Sequence, residues 1–222
     1  MTLVGCTSEI SAPGSYFGGF LPGGQINAVT TTVIDEKFET VIRQKYDFSC
    51  GSAALATLLS YHYRLPQSEQ RAFNGMWAEG DRAQIRRLGF SLLDMKRYLA
   101  TLGLKADGYE VSLEQIANAG VPGIALIAPR GYRHFVVVKG VRNGEILLGD
   151  PSLGLQTMEM DEFRDIWNGV YFILTSRNDI ARRNFNGDVQ WAEFARAPVG
   201  SPFVDPLSLQ ALQLTAPFYR DF

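Results

Sequence analysis

Cysteine and histidine are the scarce residues of this chain: two of each among 222, Cys6, Cys50, His62 and His134. Two cysteines allow at most one disulfide, so no disulfide framework underlies the fold. The same four residues lie too far apart in sequence to make a recognisable metal-ligand spacing, and neither a metal nor a cofactor is expected. No apolar run approaches the roughly 18 to 20 residues that cross a bilayer, and the G-x-x-x-x-G-K-[ST] phosphate loop does not occur, so neither a transmembrane segment nor a nucleotide-driven motor is expected. An excess of one charge is missing too. With 21 basic and 23 acidic residues and a formal net charge of -2, there is no basic stripe of the kind that binds nucleic acid.

What the chain does have is core-forming material, 46% hydrophobic and 12% aromatic, enough at this length for a folded domain with extensions. Residues 1–28 (including SAPGSYFGGFLPGGQ) are rich in glycine, serine, proline and threonine and read as a flexible, irregular arm. Leu3-Val4-Gly5-Cys6 resembles the end of a lipoprotein signal, yet only Met1 and Thr2 precede it, and the charged and apolar regions of such a signal are missing. Trimming from a longer precursor and chance occurrence are both open readings. Residues 177–222 carry a weak helical pattern broken by Asn186-Gly187 and then by prolines. Trp191, Phe194, Phe203, Phe218 and Tyr219 suit an extension that packs on the domain or docks a partner.

Between these ends the pattern is regular. Residues 29–34 and 38–42 are β-branched and partly alternating, which predicts strands. A helix is expected over 50–63, with Ala54, Leu55, Leu58 and Leu59 at helical spacing and Pro66 closing it. Further helices are expected over 67–78 and 92–102, and Ser112-Leu113-Glu114-Gln115 has the form of a capping box that opens another. Strand-length apolar runs follow at 123–128, 134–141, 145–148 and 169–175, with Arg142-Asn143-Gly144 as a hairpin signal between two of them. Helices first and antiparallel strands later predict an α+β domain.

Cys50 opens the apolar helix. A helix N-terminus carries partial positive charge, which favours a thiolate, the reactive form of cysteine. Gly51 removes a side chain beside the sulfur and would let a substrate backbone come close. Buried cysteines in a helix's first turn are also ordinary core residues, so Cys50 alone decides nothing. A nucleophile needs a base. His62 lies twelve residues farther along the same predicted helix, about 18 Å at 1.5 Å per residue, too far to reach the sulfur, and reads as a surface or boundary histidine. His134, at the start of the run His134-Phe135-Val136-Val137-Val138, is then the base if this is a thiol enzyme. Asp150 follows the second apolar strand and precedes Pro151; if the turn at Asn143-Gly144 pairs the two strands, it would arrive beside His134 as the group that fixes its tautomer. Asp150-Pro151 is otherwise a good turn initiator. Gln44, six residues before Cys50, offers a side-chain N–H for an oxyanion hole, or is a polar surface residue.

Gln44 through Cys50-Gly51, then His134-Phe135-Val136-Val137, then Gly149-Asp150-Pro151 with Gly154 resemble, in this order, the papain-like double-glycine leader peptidases that process bacteriocins and related secreted peptides. The likeness spans residues 29–176. It implies a papain-like α+β fold in which a helical lobe with the nucleophile helix packs on an antiparallel sheet. Cys50 would attack a peptide carbonyl, His134 protonate the leaving amine, Asp150 orient His134 and Gln44 stabilise the oxyanion. Cleavage after Gly-Gly, a peptide or protein substrate, a secretion or biofilm-amyloid assembly system and a periplasmic location are implied with it. The membrane spans and ATPase domain of transporter-linked members are not expected here. Gly18-Gly19 and Gly23-Gly24 in the arm are candidate self-processing sites, against the simpler reading of a flexible linker. Two other functions fit the same residues: a peptide-binding module without turnover, and an amidase or transglutaminase acting on a different amide.

Overall fold

The protein is described by a computed structural model covering residues 33–194 and four backbone pairs before them, at 16–17, 20–21, 24–25 and 28–29. Cys6, Gly18, Gly19, Gly23, Phe203, Phe218 and Tyr219 lie outside the described residues, and with them the lipidation and self-processing questions. Within the glycine-rich arm, β1 (Tyr16–Phe17) pairs with β4 (Ala28–Val29) and β2 (Phe20–Leu21) with β3 (Gly24–Gln25), both antiparallel.

The strands expected at 29–34 and 38–42 are corrected. Of the first stretch, Val29 is the second residue of β4, and residues 33–34 open α1 (Val33–Lys37), whose Asp35 and Glu36 lie in the first turn and Lys37 in the last, the arrangement the helix dipole favours. The second continues as turns, with Phe38 N–H donating to Asp35 O and Glu39 N–H to Glu36 O, both 3.1 Å. β-branched residues favour a strand only where a neighbouring strand can pair with them.

Every residue of α2 (Cys50–Thr57) is buried, which explains its weak amphipathic pattern. Its small residues Gly51, Ser52, Ala53, Ala54 and Ala56 let the backbone lie close to α3 (Glu69–Glu79), α5 (Leu92–Thr101) and β7 (His134–Arg142). The helix continues as a wider π-helical turn, Leu58–His62, in which Tyr63 N–H reaches back five residues to Leu58 O at 3.3 Å. His62 is therefore not a surface residue. It is 1% exposed, its Nδ1 lies 3.0 Å from Asn184 O, and Asn184 Nδ2 donates to His62 O at 2.8 Å. Burial and the positive charge of Lys139 push its pKa down to about 3 against the opposing bond to Asn184.

Six strands form one antiparallel sheet in the order β5-β10-β6-β7-β8-β9, comprising β5 (Ala106–Glu110), β6 (Gly123–Ile127), β7, β8 (Glu145–Asp150), β9 (Gly154–Glu159) and β10 (Trp167–Leu174). One face packs Phe135, Val137, Phe172 and Leu174 against Leu55, Leu58 and Leu59 of α2 and its π-helical extension. The other packs Val136, Val138, Ile146 and Leu148 with Ile116 of α6 (Leu113–Ala119) and Phe163 of α7 (Met160–Ile166). Burial on both faces is why the central strands read as continuous apolar runs instead of alternating ones.

The Asn143-Gly144 hairpin is present, both residues at positive φ (53° and 83°) as a two-residue turn requires. The capping box at Ser112 and Gln115 is complete. Missing from the sequence reading were α4 (Arg82–Leu88), β5, β9 and α7. β5 lies at the sheet edge with four of its five residues exposed, so it carries no apolar periodicity to detect.

Two units divide the chain, Met1–Gly187 and Asp188–Phe222; the short helix α9 (Asp188–Ala192) belongs to the second. Residues 178–187, beginning with α8 (Asn178–Arg183), belong to the first. Beyond the latch at Asn184, Asn186 substitutes for a strand beside the β7 bulge. Its N–H donates to Lys139 O (3.0 Å), its Oδ1 accepts from Val141 N–H (2.8 Å) and its Nδ2 donates to Val141 O (3.1 Å).

Candidate active site

Cys50 occupies the first position of α2, and the residue ahead of it is not used as a cap. Ser49 sits at the N-cap position yet makes no capping bond. Its hydroxyl accepts from Tyr46 N–H (3.1 Å) and donates to Glu69 Oε1 (2.6 Å). The same carboxylate oxygen accepts Lys45 N–H at 2.9 Å. Glu69 is 5% exposed, and its Oε2 is buried without a hydrogen-bond partner. The loop between Gln44 and Cys50 is thus pinned from α3, and the first-turn N–H groups of α2, which no earlier turn can satisfy, lack a side-chain cap.

Gln44 is stitched to the other side of the site: its backbone N–H donates to Pro151 O at 2.9 Å. Its side-chain Oε1 is buried without a partner. Pro151 follows Asp150, whose carboxylate is held on several sides. Oδ1 accepts Ser152 N–H (2.7 Å) and Leu153 N–H (3.1 Å), and Oδ2 accepts Gln156 Nε2 (3.3 Å). The tight turn that supplies these donors closes at Gly154, φ +83°, where an added Cβ would stand 2.6 Å from Lys37 O.

His134 meets that carboxylate through Nε2, 2.8 Å from Asp150 Oδ1, with both side chains nearly fully buried. Its Nδ1 is buried without a nitrogen or oxygen partner. Desolvation alone would lower the His134 pKa. The bond to Asp150 and the interaction with Cys50, each acting by hydrogen bonding and by charge, outweigh it and raise the pKa to about 9. Tyr132 stacks on the His134 ring, centroids 6.3 Å apart, and its hydroxyl donates to Asp47 O at 3.2 Å. Hairpin pairing is what unites His134 with Asp150, as the turn signal predicts: Val137 pairs with Gly149, one residue short of Asp150.

Gly51 corrects one expectation. A Cβ there would stand 3.1 Å from Met95 Cε and from Phe90 Cβ and 3.4 Å from Phe135 Cδ2. Its missing side chain makes room for the core behind the helix, not for a substrate in front of it. Glu69, Ser49, Gln156 and Tyr132 were not found from the sequence. A serine before the helix was visible, but only the fold shows that its hydroxyl turns away to a distant carboxylate. Among the described residues no three His, Cys, Asp or Glu side chains cluster so as to hold a metal ion.

A cavity of about 420 Å³ opens beside Cys50, its apolar wall formed by Phe48, Leu88, Phe90, Leu126 and Phe135. An aromatic chain continues outward from it, Phe48 and Phe90 each meeting Phe73 (5.9 and 5.1 Å) and Phe73 stacking on Trp77 (5.9 Å).

Residues 39–179 match the Peptidase C39 family. Over 172 residues the chain is 38% identical to the "Probable functional amyloid protease FapD" of Pseudomonas aeruginosa, which covers 78% of this chain and 75% of that protein. It is 30% identical over 133 residues to the lactococcin-G-processing and transport ATP-binding protein LagD of Lactococcus lactis, covering 59% of this chain and 18% of the relative. A solved double glycine motif protease from an AMS/PCAT transporter, in complex with its leader peptide, superposes with a TM-score of 0.51 at 26% identity, over 60% of this chain and 89% of that one.

Proposed function

Because the chain belongs to the Peptidase C39 family and is a cysteine peptidase of papain-like α+β fold, we propose that Cys50, His134 and Asp150 are its catalytic triad and Gln44 its oxyanion donor. The observation that carries this reading is the 2.8 Å bond between His134 Nε2 and Asp150 Oδ1. It commits one ring nitrogen to the carboxylate and leaves Nδ1 for the thiol, while the interaction with Cys50 helps raise the ring's pKa.

The steps follow from that arrangement. Cys50 attacks the substrate carbonyl as a thiolate, and the charge that develops on the carbonyl oxygen is met by uncapped N–H groups at the start of α2 and by the Gln44 side chain. His134, holding its proton at neutral pH, gives it to the leaving amine as the C–N bond breaks. An acyl thioester remains on Cys50. Water then adds to the thioester, losing its proton to His134, and the thiolate departs with the peptide acid released. Asp150 holds the ring orientation and stabilises the imidazolium throughout.

Cleavage after Gly-Gly in a secreted peptide or protein, within a periplasmic secretion or functional-amyloid assembly system, is the finer part of the proposal. Its support is the double-glycine protease among the structural neighbours and the amyloid and bacteriocin-processing names of the relatives. The test is cleavage of Gly-Gly-containing peptides by the wild type and by Cys50→Ala, with products located by mass spectrometry. Scission after Gly-Gly that disappears in the variant is expected. Peptide binding by both proteins without cleavage by either would favour a binding module, and reaction only at side-chain amides an amidase or transglutaminase.

A further inference from the structure

The apolar cavity beside Cys50 has a cationic rim. Arg86, Arg87 and Arg133 line it, against one acid, Asp47. Over the whole chain acids outnumber bases, 23 to 21, so this excess of positive charge is local. The three arginines do not form a run in sequence. Arg86 and Arg87 lie in the last turn of α4, where the helix dipole by itself favours cations. Arg133 comes from the turn before β7, immediately ahead of His134, and no helix end accounts for it.

All three are exposed, and among the described residues the surface ion pairs are made by other groups: Lys96 with Asp107, Arg164 with Glu114 and Asp161, and Arg183 with Asp179. Arg86 is ordered without a carboxylate, its guanidinium lying over the Trp77 ring at 5.4 Å, a contact that leaves its in-plane N–H donors available. Planar guanidinium groups match carboxylates in a fork geometry that a lysine or an amide cannot reproduce. A substrate chain reacting at Cys50 passes this rim, and a carboxylate is the peptide side-chain group that complements it.

We propose that the cavity is a specificity subsite that takes an aspartate or glutamate side chain of the peptide substrate, a few residues from the scissile bond, between Arg86, Arg87 and Arg133. This rests on the peptidase reading, since Cys50 defines which end of the cavity is the reacting one.

The experiment uses the full chain and peptides amidated at their C termini, so that only side-chain carboxylates are in play. Glutamate, glutamine and lysine are placed in turn at each position flanking the scissile bond, and kcat/KM is measured. At one position glutamate should exceed glutamine by on the order of 3- to 30-fold, the range between an exposed ion pair and a charge-assisted fork. The preference should shrink in about 0.5 M salt, where screening acts within a few ångströms. Arg87→Glu should reverse it in favour of lysine, and Arg133→Gln should weaken it. Equal kcat/KM for glutamate and glutamine at every position, or a preference untouched by both substitutions, overturns the subsite. If no peptide is cleaved, the peptidase reading fails separately, and binding of the same labelled peptides to Cys50→Ala by fluorescence anisotropy still decides. Tighter binding of glutamate peptides that Arg87→Glu abolishes upholds the subsite; indifference to charge removes it.

Discussion

Ser49, the residue before Cys50, donates its hydroxyl hydrogen to Glu69 Oε1 over 2.6 Å, and that carboxylate also holds Lys45 N–H at 2.9 Å. A single buried side chain on α3 thereby bonds both ends of the loop joining Gln44 to Cys50. Glu69→Ala leaves the Lys45 N–H without its acceptor, at about 1–3 kcal/mol, and leaves the Ser49 hydroxyl only the Tyr46 carbonyl, 2.9 Å away, to donate to. The variant should unfold at a lower temperature and, where still folded, lose kcat more than KM. Glu69→Gln keeps an acceptor oxygen and should recover most of the rate. Equal kcat in wild type and folded Glu69→Ala would show that the loop holds its shape without the carboxylate.

If His134 is the proton donor proposed above, its pKa of about 9 should set an alkaline limit on turnover. As pH rises through that value the imidazolium proton needed by the leaving amine is lost, so kcat/KM should fall on the alkaline side. Asp150→Asn removes the negative charge that helps raise this pKa while keeping one acceptor oxygen, and the alkaline limb should move to lower pH. On the proposed mechanism, in which Asp150 supports general acid–base catalysis by His134, the rate should also drop by on the order of 10²-fold or more. Rate profiles of the two proteins across the alkaline range provide the check; an unmoved limb would assign the ionisation to another group.

Stability should depend on pH through both histidines, with opposite signs. His62, held at about 3 in the folded protein against 6.5, stays neutral where the unfolded chain takes up a proton. Its contribution is lost as pH falls from 6.5 toward 3, at about 1.4 kcal/mol per pH unit. His134, raised to about 9, contributes fully below 6.5 and loses that contribution as pH rises toward 9. Denaturant midpoints should therefore decline on both sides of about pH 6.5. His62→Asn, which retains a donor toward Asn184 O, should flatten the acid side; a slope as steep as the wild type's would place the acid sensitivity elsewhere.

Two glycines with the same backbone angle should respond differently to alanine. Gly144 and Gly154 both have φ +83°, but nothing lies within 4 Å of a Cβ at Gly144, whereas one at Gly154 would stand 2.6 Å from Lys37 O and 2.7 Å from Lys37 Cβ. Gly144→Ala should cost about 1 kcal/mol from backbone strain alone. Gly154→Ala should cost about 2–4 kcal/mol from strain plus overpacking, and, by shifting the turn that feeds N–H donors to Asp150, should also lower kcat. Thermal unfolding and turnover of the two variants make the comparison. Equal losses would mean that the segment around Lys37 yields freely.

Where a feature depends on near neighbours in the chain, it was legible beforehand. The start of α2 at Cys50, the capping box at Ser112, the hairpin at Asn143-Gly144 and hence the meeting of His134 with Asp150 all follow from local helix and turn chemistry. With only two histidines in the chain, the pairing of His134 with Asp150 was the one the hairpin could supply. The exposed edge strand β5 and the short helices α4 and α7 left too little apolar periodicity to be seen.

Long-range packing decided the rest. Gly51 looked like an opening toward substrate because sequence shows a missing side chain but not the direction in which it would point; Met95, Phe90 and Phe135 occupy that direction. His62 looked like a helix-end surface residue, yet the return of the chain at Asn184, 122 residues later, buries it. Glu69 and Ser49 meet across 20 residues, and Arg133 reaches the same cavity as Arg86 and Arg87 across more than 40. Local sequence determined which chemistry was available and where each element begins. Which of those groups face one another, and which are turned into the core, was set by the packing of α2 between α3 and the sheet, because burial assigns a direction to every side chain that spacing along the chain leaves open.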